Sequence, residues 1–459
     1  MTAPFLPSMP RFAPRIRCRY PRLIDAAMMC YGGQALERTY TTSATVTVLV
    51  AVKRGALGTM QPILGSTIYF DANDHLVAWG ATTPHYFRDP NGWYLIEAGP
   101  SGLMVNGRLL LSELATTALV NVPWARSGST YLDGLIADAH IIDGADVVGA
   151  ATAWRGESCV WMGHDGEHGP AGTHLDFADQ AQLGLDAAGI GNWTPSGSPL
   201  WTLDTPTDNF PVVDRLLYVP SWSGYYTSRA NTRSHSGPYN ADGMLYSPNV
   251  PIPVLGKWYA EFTMLSYGYT PCHVGVTGAL WNKGGTSGLS GTFGVGNVVG
   301  VAPSPAEGIV KFFRDGVPVG TLPWTPTNER FFDAYGVGNV TVTVWDHAYG
   351  QRGFVYAPPE GHSGIHTALI PDDPGTIIDA GSYLGNGVAN GARVITGAEM
   401  ESIAIGGTTY VNDGSARGVV DFLCDGFKLR STTHNVSGTT YPWTGVVRVP
   451  WRCALAGIN

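Results

Sequence analysis

The sequence predicts an all-β chain of several domains with short strands, on three observations. Glycine and proline are frequent, with 60 Gly and 32 Pro in 459 residues. They follow no collagen-like or low-complexity period, so the usage implies many tight turns. Runs of β-branched and aromatic residues recur, each bounded by Gly or Pro. Two of these runs double back at Asn106-Gly107 and Asp315-Gly316. Such dipeptides supply the positive φ angles of a tight primed hairpin turn. The length allows about two to four domains, and a hydrophobic content of 44% supplies their cores.

Charge narrows the function. Only 14% of residues are charged, the net charge is −9 and the pI is about 5.7. No general nucleic-acid binding is expected of such a chain. The six cysteines, at 18, 30, 159, 272, 424 and 453, show no C-x-x-C spacing. They read as scattered buried thiols of a protein made in a reducing cytoplasm. No secretory signal is evident, and no run approaches the ~18 apolar residues of a membrane span. If the protein works outside a cell, it leaves by assembly into a particle or by lysis.

Residues 1–34 read as a basic arm. Pro4, Pro7, Pro10, Pro14 and Pro21 prevent a long helix. Arg11, Arg15, Arg17, Arg19 and Arg22 precede the first acid, Asp25. Phe5, Phe12, Ile16 and Tyr20 are apolar anchors, so the arm suits ordering against an acidic partner as well as it suits a frayed tail. A short helix is expected around 23–30. From residue 44 the pattern has period two and predicts a half-buried strand: Ala44, Val46, Val48, Val50 and Val52 on one face, Thr45, Thr47, Leu49, Ala51 and Lys53 on the other. Strands at 66–70, 75–79 and 93–98, the Asn-Gly hairpin and a long strand at 131–144 complete this region. The polar, Pro-punctuated stretch Leu203-Asp204-Thr205-Pro206-Thr207-Asp208-Asn209-Phe210 reads as a linker. Strands resume with Gly256-Lys257-Trp258-Tyr259-Ala260-Glu261-Phe262, Gly296-Asn297-Val298-Val299-Gly300-Val301-Ala302 and the hairpin around Asp315-Gly316. Trp93, Trp258 and Trp345 lie within strands and read as core. From about 360 the chain is Gly-rich with weaker strands, and Pro442 places its strand at an edge or a bulge.

The runs between 256 and 321 resemble a SPRY domain, a concanavalin-like sandwich that binds partners through its loops. The family order is Gly-Lys-Trp-Tyr-x-Glu, a short Gly-Val strand, Gly-(Asn/Asp)-Val-(Ile/Val)-Gly-Val-Ala, then Phe-Phe-x-(Asn/Asp)-Gly, and all four occur here in that order. The region from 40 to 145 resembles a laminin-G-like jelly roll, through Val52-Lys53-Arg54, Leu103-Met104-Val105-Asn106-Gly107 and the run from Tyr131 to Gly144. The stretch Asp204-Thr205-Pro206-Thr207, Phe354-Val355-Tyr356-Ala357-Pro358-Pro359 and Asp421-Phe422-Leu423-Cys424-Asp425-Gly426-Phe427-Lys428 resemble a bacteriophage tail-protein family. Departures from it are Asp208 before the connector's Asn and Asp425 where Asn is usual. The resemblance implies two concanavalin-like β-sandwiches in tandem and a small β-rich module. The expected parts are an anchoring arm at 1–34, a laminin-G-like jelly roll with connector at 35–214, a SPRY-like sandwich at 215–358 and a C-terminal module at 359–459. It further implies a virion protein, a tail fibre, spike or tail-tip adhesin. The arm would grip other virion proteins, the sandwich loops would meet host cell-surface glycan or protein, and the chain would form a homo-oligomer such as a trimer.

Enzyme motifs are sparse. A glycosidase needs two carboxylates across a groove, about 5–5.5 Å apart for retention, and no strand here offers alternate acids. Neither a nucleophile elbow nor a Walker loop is present. A polysaccharide-degrading enzyme is therefore the rival reading, and a baseplate or decoration component another. For ligand binding, loop aromatics stand out: Trp222, Tyr225, Tyr226, Tyr267, Tyr269 and Trp281 with Asn282. Aromatic faces in polar loops suit sugars. No cofactor is required. Two ion sites are candidates beside plainer readings. Asp71, Asn73, Asp74, Asp133 and Asp138 offer oxygens for the calcium that laminin-G-like jelly rolls hold at the rim, with Asp71, Asn73 and Asp133 the leading set, although Asp71 to Asp74 is equally a hairpin turn. His164, Asp165 and His168 offer a divalent-ion set, although the flanking glycines place them in a loop that could simply be solvated.

Overall fold

The computed structural model describes residues 22–155, 158–216, 226–236, 249–266, 272–278, 287–326, 330–336, 342–369, 378–416, 418–450 and 455–459. They contain strands and one 3₁₀ turn, Pro305–Glu307, and no α-helix. The chain is all-β, built of packed antiparallel sheets. It divides into two compact units. One spans Phe210–Pro371, and the other joins Ala13–Asn209 to Asp372–Asn459.

In the second unit the main sheet runs Arg108–Leu111, Gly102–Val105, Tyr94–Gly99, Val46–Arg54, Asp133–Asp143, Ala27–Tyr31, Leu200–Thr202, with Thr173–Leu175 also pairing to Asp133–Asp143. A smaller sheet of Gln61–Leu64, Ile68–Phe70, Leu76–Ala78 and Ala81–Thr82 faces it. Val48, Val50, Val52, Ile63, Phe70 and Trp124 meet in their common core, which is sandwich packing. Asn106 and Gly107 have φ of 49° and 71°, as the primed turn requires.

Three local expectations change. The helix around 23–30 is instead the strand Ala27–Tyr31, since Met28 and Met29 pair with Ile136 and Leu135. Sheet pairing overrides a weak local propensity there. The Val46–Arg54 strand is buried along its whole length, not on one face. The supposed linker is the reason Lys53 can be inside. Asp204, Thr205, Thr207 and Asn209 are buried, and Lys53 Nζ donates to Asp204 Oδ2 at 2.8 Å and to Asn209 Oδ1 at 2.7 Å. Trp93 Nε1 donates to Asp204 Oδ1 at 3.1 Å, and Thr207 Oγ1 binds both the N–H and the carbonyl of Ile24. A buried ammonium survives only with such partners.

The C-terminal module belongs to this same unit. Its sheets are Ile378–Leu384, Thr440–Pro450, Ala398–Ile405, Thr408–Val411, and Arg393–Ile395, Gly426–Leu429, Val420–Leu423. Met400, Ile403, Phe422, Phe427 and Trp443 form its core. Asp89 of the jelly roll accepts the N–H groups of Cys424 at 2.7 Å and Gly457 at 3.0 Å. Arg88 pairs with Asp421 at 2.6 Å. Residues 456–459 are buried, and Asn106 Nδ2 donates to the Ala456 carbonyl at 2.9 Å. Pro442 pairs with Ser382 on one side, while pairing with Ala398–Ile405 begins only at Trp443, so its missing N–H is tolerated.

In the first unit a seven-stranded sheet runs Tyr226–Ser228, Arg233–Ser236, Thr343–Ala348, Ala260–Ser266, Val298–Ser304, Ile309–Arg314, Val317–Pro323. A three-stranded sheet of Ser287–Gly291, Cys272–Gly278 and Arg330–Gly336 accompanies it. Phe262 and Phe332 bring the two together, ring centroids 6.3 Å apart. Asp315 and Gly316 adopt φ of 51° and 78° in the expected turn. Glu261 is buried and accepts the N–H groups of Val355 at 2.6 Å and Tyr356 at 2.9 Å. The motif's acid is thus a clasp for the segment that ends the sandwich. Trp93, Trp258 and Trp345 are core residues, and the described cysteines Cys30, Cys159, Cys272 and Cys424 are buried thiols.

Candidate metal centre

The Asp133–Asp143 strand lies in the middle of the main sheet. Its register against Val46–Arg54 shifts between Ala137 and His140, and Asp138 has φ of 42°. This is a bulge, which turns side chains out of the ordinary alternation. It brings a carboxylate and an imidazole side by side. Asp138 is buried and its carboxylate gathers donors: Trp161 Nε1 at 2.6 Å, His174 Nε2 at 2.8 Å and Arg22 Nη2 at 3.2 Å. His140 Nε2 lies 3.2 Å from Asp138 Oδ2 but is not aligned for a hydrogen bond. Burial would raise the Asp138 pKa. His140, His174 and Arg22 outweigh it and hold the carboxyl well below the usual range.

Three imidazoles converge beside that carboxylate. Thr173–Leu175 pairs directly with the bulged strand, setting His174 opposite His140, their rings stacked at 4.1 Å. The loop between Trp161 and Thr173 folds back on the strand, with Asp143 N–H donating to the His168 carbonyl at 2.8 Å. Gly172 is pressed so close to the His168 and Ile141 carbonyls that a Cβ would not fit. The loop thereby carries His168 inward, its Nε2 2.9 Å from His140 Nδ1. The ligand atoms of His140, His168 and His174 all lie within 4.8 Å of one another, the one such set of His, Cys, Asp or Glu among the described residues. An ionised carboxylate only accepts, so His174 donates to Asp138 from Nε2. The 2.9 Å contact between His140 and His168 accommodates one proton at most. Burial lowers the His140 pKa and pushes His168 down to about 4, with the neighbouring histidines adding to the second shift. Burial thus disfavours the charged form of both imidazoles.

The cluster opens outward. A pocket of about 630 Å³ is lined by His164, Asp165, Glu167, His168, His174 and Ile190, among others. Of the proposed ion set, His168 is in the cluster. His164 stands at the rim, its ring 5.1 Å from that of His168. Asp165 is exposed and pairs with Arg22 at 3.3 Å. His140 was missed. Its signal was the pair Asp138 and His140, polar at alternate positions of an otherwise apolar strand.

The remaining candidates lie elsewhere. Asp71 Oδ1 accepts the N–H groups of Asn73 and His75, both at 2.8 Å, and so closes a hairpin turn. Asp133 begins the long strand, its N–H bonded to Gln61 at 2.8 Å. Arg22, grouped with the basic arm, is engaged by Asp138 and Asp165 of its own chain. Tyr226 is half-exposed and stacks on His235 at 4.1 Å. Trp222, Tyr225, Tyr267, Tyr269, Trp281, Asn282, Arg11, Arg15, Arg17 and Arg19 lie outside the described residues.

No protein-family model matches the chain, and no curated protein matches it. Among solved structures it is similar to the TRIM65 PSpry domain, at 14% identity over 30% of this chain and 90% of that one, with a TM-score of 0.22. It is also similar to domains LG4-5 of the mouse laminin α1 chain, at 8% identity over 73% of this chain and 86% of that one, with a TM-score of 0.23.

Proposed function

We propose that this chain is a structural protein of a tailed-phage particle, a fibre, spike or tail-tip adhesin that binds host surface glycan or protein without catalysis. The observation that carries the reading is the order of motifs along one chain: a jelly roll, the Asp204-Thr205-Pro206 connector, the SPRY-like strands and the Asp421 to Lys428 module. The use of the acids in those motifs supports it. Asp204 neutralises Lys53, Glu261 clasps Val355 and Tyr356, and Asp421 pairs with Arg88. Each is committed to the fold, which suits a rigid scaffold that presents loops. The basic arm attaches the chain to other virion proteins, and repeated copies in a homo-oligomer such as a trimer turn weak loop contacts into avidity.

The test incubates purified protein with host cells and with their envelope polysaccharide. Saturable cell binding with no new reducing ends is the expected result. Steady release of reducing ends would replace the adhesin with a polysaccharide-degrading enzyme. Absence of binding by a chain that is nonetheless recovered from purified virions would leave a baseplate or decoration component.

A further inference from the structure

We propose that His140, His168 and His174 bind one divalent transition-metal ion of the zinc type, at the floor of the pocket between the bulged strand and the folded-back loop. Nothing in the adhesin reading requires this site, and it stands on its own geometry. The donors are imidazole nitrogens, which select zinc, copper or nickel over calcium and magnesium. The ligand atoms of all three lie within 4.8 Å of one another, and the His140–His168 pair is nearest to the spacing an ion needs. Nitrogens on a tetrahedral zinc with bonds of about 2.0–2.1 Å are about 3.3 Å apart, whereas His140 Nδ1 and His168 Nε2 stand 2.9 Å apart. A shift of a few tenths of an ångström separates this pair enough for the ion, which then takes the place of the hydrogen bond between them.

Asp138 supplies the support such sites use. A metal-bound histidine typically gives its other ring nitrogen to a carboxylate, which fixes the tautomer and raises ligand basicity. His140 Nε2, buried and lacking an aligned acceptor, is 3.2 Å from Asp138 Oδ2 and would acquire that role. His174 already donates to the same carboxylate. Trp161 and Arg22 hold the carboxylate in turn. Three nitrogens leave a fourth position facing the pocket, open to water or to a ligand group. His168 comes from the loop and the other two from adjacent strands, so the ion pins the loop to the sheet.

The full-length chain, stripped with a chelator and dialysed, is titrated with Co²⁺ and then Zn²⁺. The expected result is one ion per chain, with the visible absorption of four-coordinate cobalt bleached by zinc and with zinc raising Tm. His168→Gln, at the pocket wall, lowers affinity more than about 100-fold. Asp138→Asn lowers it about 10–100-fold, the usual effect of losing an outer partner. His434→Gln, in the C-terminal module, binds as the parent does. Lack of cobalt or zinc binding by the parent chain would overturn the proposal. So would unchanged binding by His168→Gln, or calcium binding that displaces the cobalt.

Discussion

Two clusters of buried charge lie in the same unit and have opposite characters. At Lys53, the ammonium meets Asp204 and Asn209, and Trp93 takes the second carboxylate oxygen. Lys53 is 1% and Asp204 2% exposed. Charge is cancelled within the cluster. At Asp138 the carboxylate is just as well supplied, but the imidazoles around it are not. His140 Nδ1 and His168 Nε2 are bonded only to each other, at 2.9 Å, and His140 Nε2 lacks an aligned partner, beside a pocket. A buried charge therefore does not mark a site. Imidazole nitrogens bonded only to one another or left unaligned, and space in front of them, do.

The largest effect should come from breaking the closed cluster. Lys53→Met or Asp204→Leu strands one buried charge and should cost about 3–5 kcal/mol in denaturant unfolding. The double substitution should recover most of that loss, because it removes both charges together. A double variant as unstable as the sum of the singles would show that the cluster acts through shape and not through charge.

A buried carboxyl in the other unit sharpens the contrast. Asp333 is fully buried with His273 Nε2 3.5 Å away. Burial pushes the Asp333 carboxyl up to about 8 and His273 down to about 4. The unfolded chain releases the Asp333 proton near its ordinary pKa of about 3.9, while the folded chain keeps it to about pH 8. Its contribution to stability is thus complete below about pH 4 and is lost as pH rises towards 8. Asp333→Asn should flatten the fall of unfolding free energy over that window, by on the order of a few kcal/mol. An unchanged slope would mean that the pair ionises as a salt bridge.

Smaller effects follow from committed acids and turns. Glu261→Gln keeps the shape but weakens the bonds to Val355 and Tyr356, so a loss of about 1–3 kcal/mol is expected, again read by denaturant unfolding. Gly316→Ala places a Cβ at φ 78° and 2.6 Å from the Tyr356 ring. It should cost about 1–2 kcal/mol, read as a lower Tm.

These regions also differ in how legible they were. The hairpins at Asn106-Gly107 and Asp315-Gly316 and the buried tryptophans follow from local rules, where turn dipeptides and strand periodicity carry the information. The connector looked like a linker because its residues are polar. Its burial depends on Lys53, some 150 positions away in the chain, which no local pattern reveals. The histidine loop was visible as His164, Asp165 and His168, but the reason it matters was not. His140 sits in an apolar strand, and its neighbourhood depends on a bulge whose left-handed residue is Asp138 rather than glycine. Alternation alone does not place such a bulge.

The most direct test of the distinction between the two clusters is anomalous diffraction at the zinc edge from crystals soaked in zinc. The account predicts one peak per chain, between His140 Nδ1 and His168 Nε2, and none beside Lys53 and Asp204. Density showing the two imidazoles still in direct contact, with no peak between them, would contradict it.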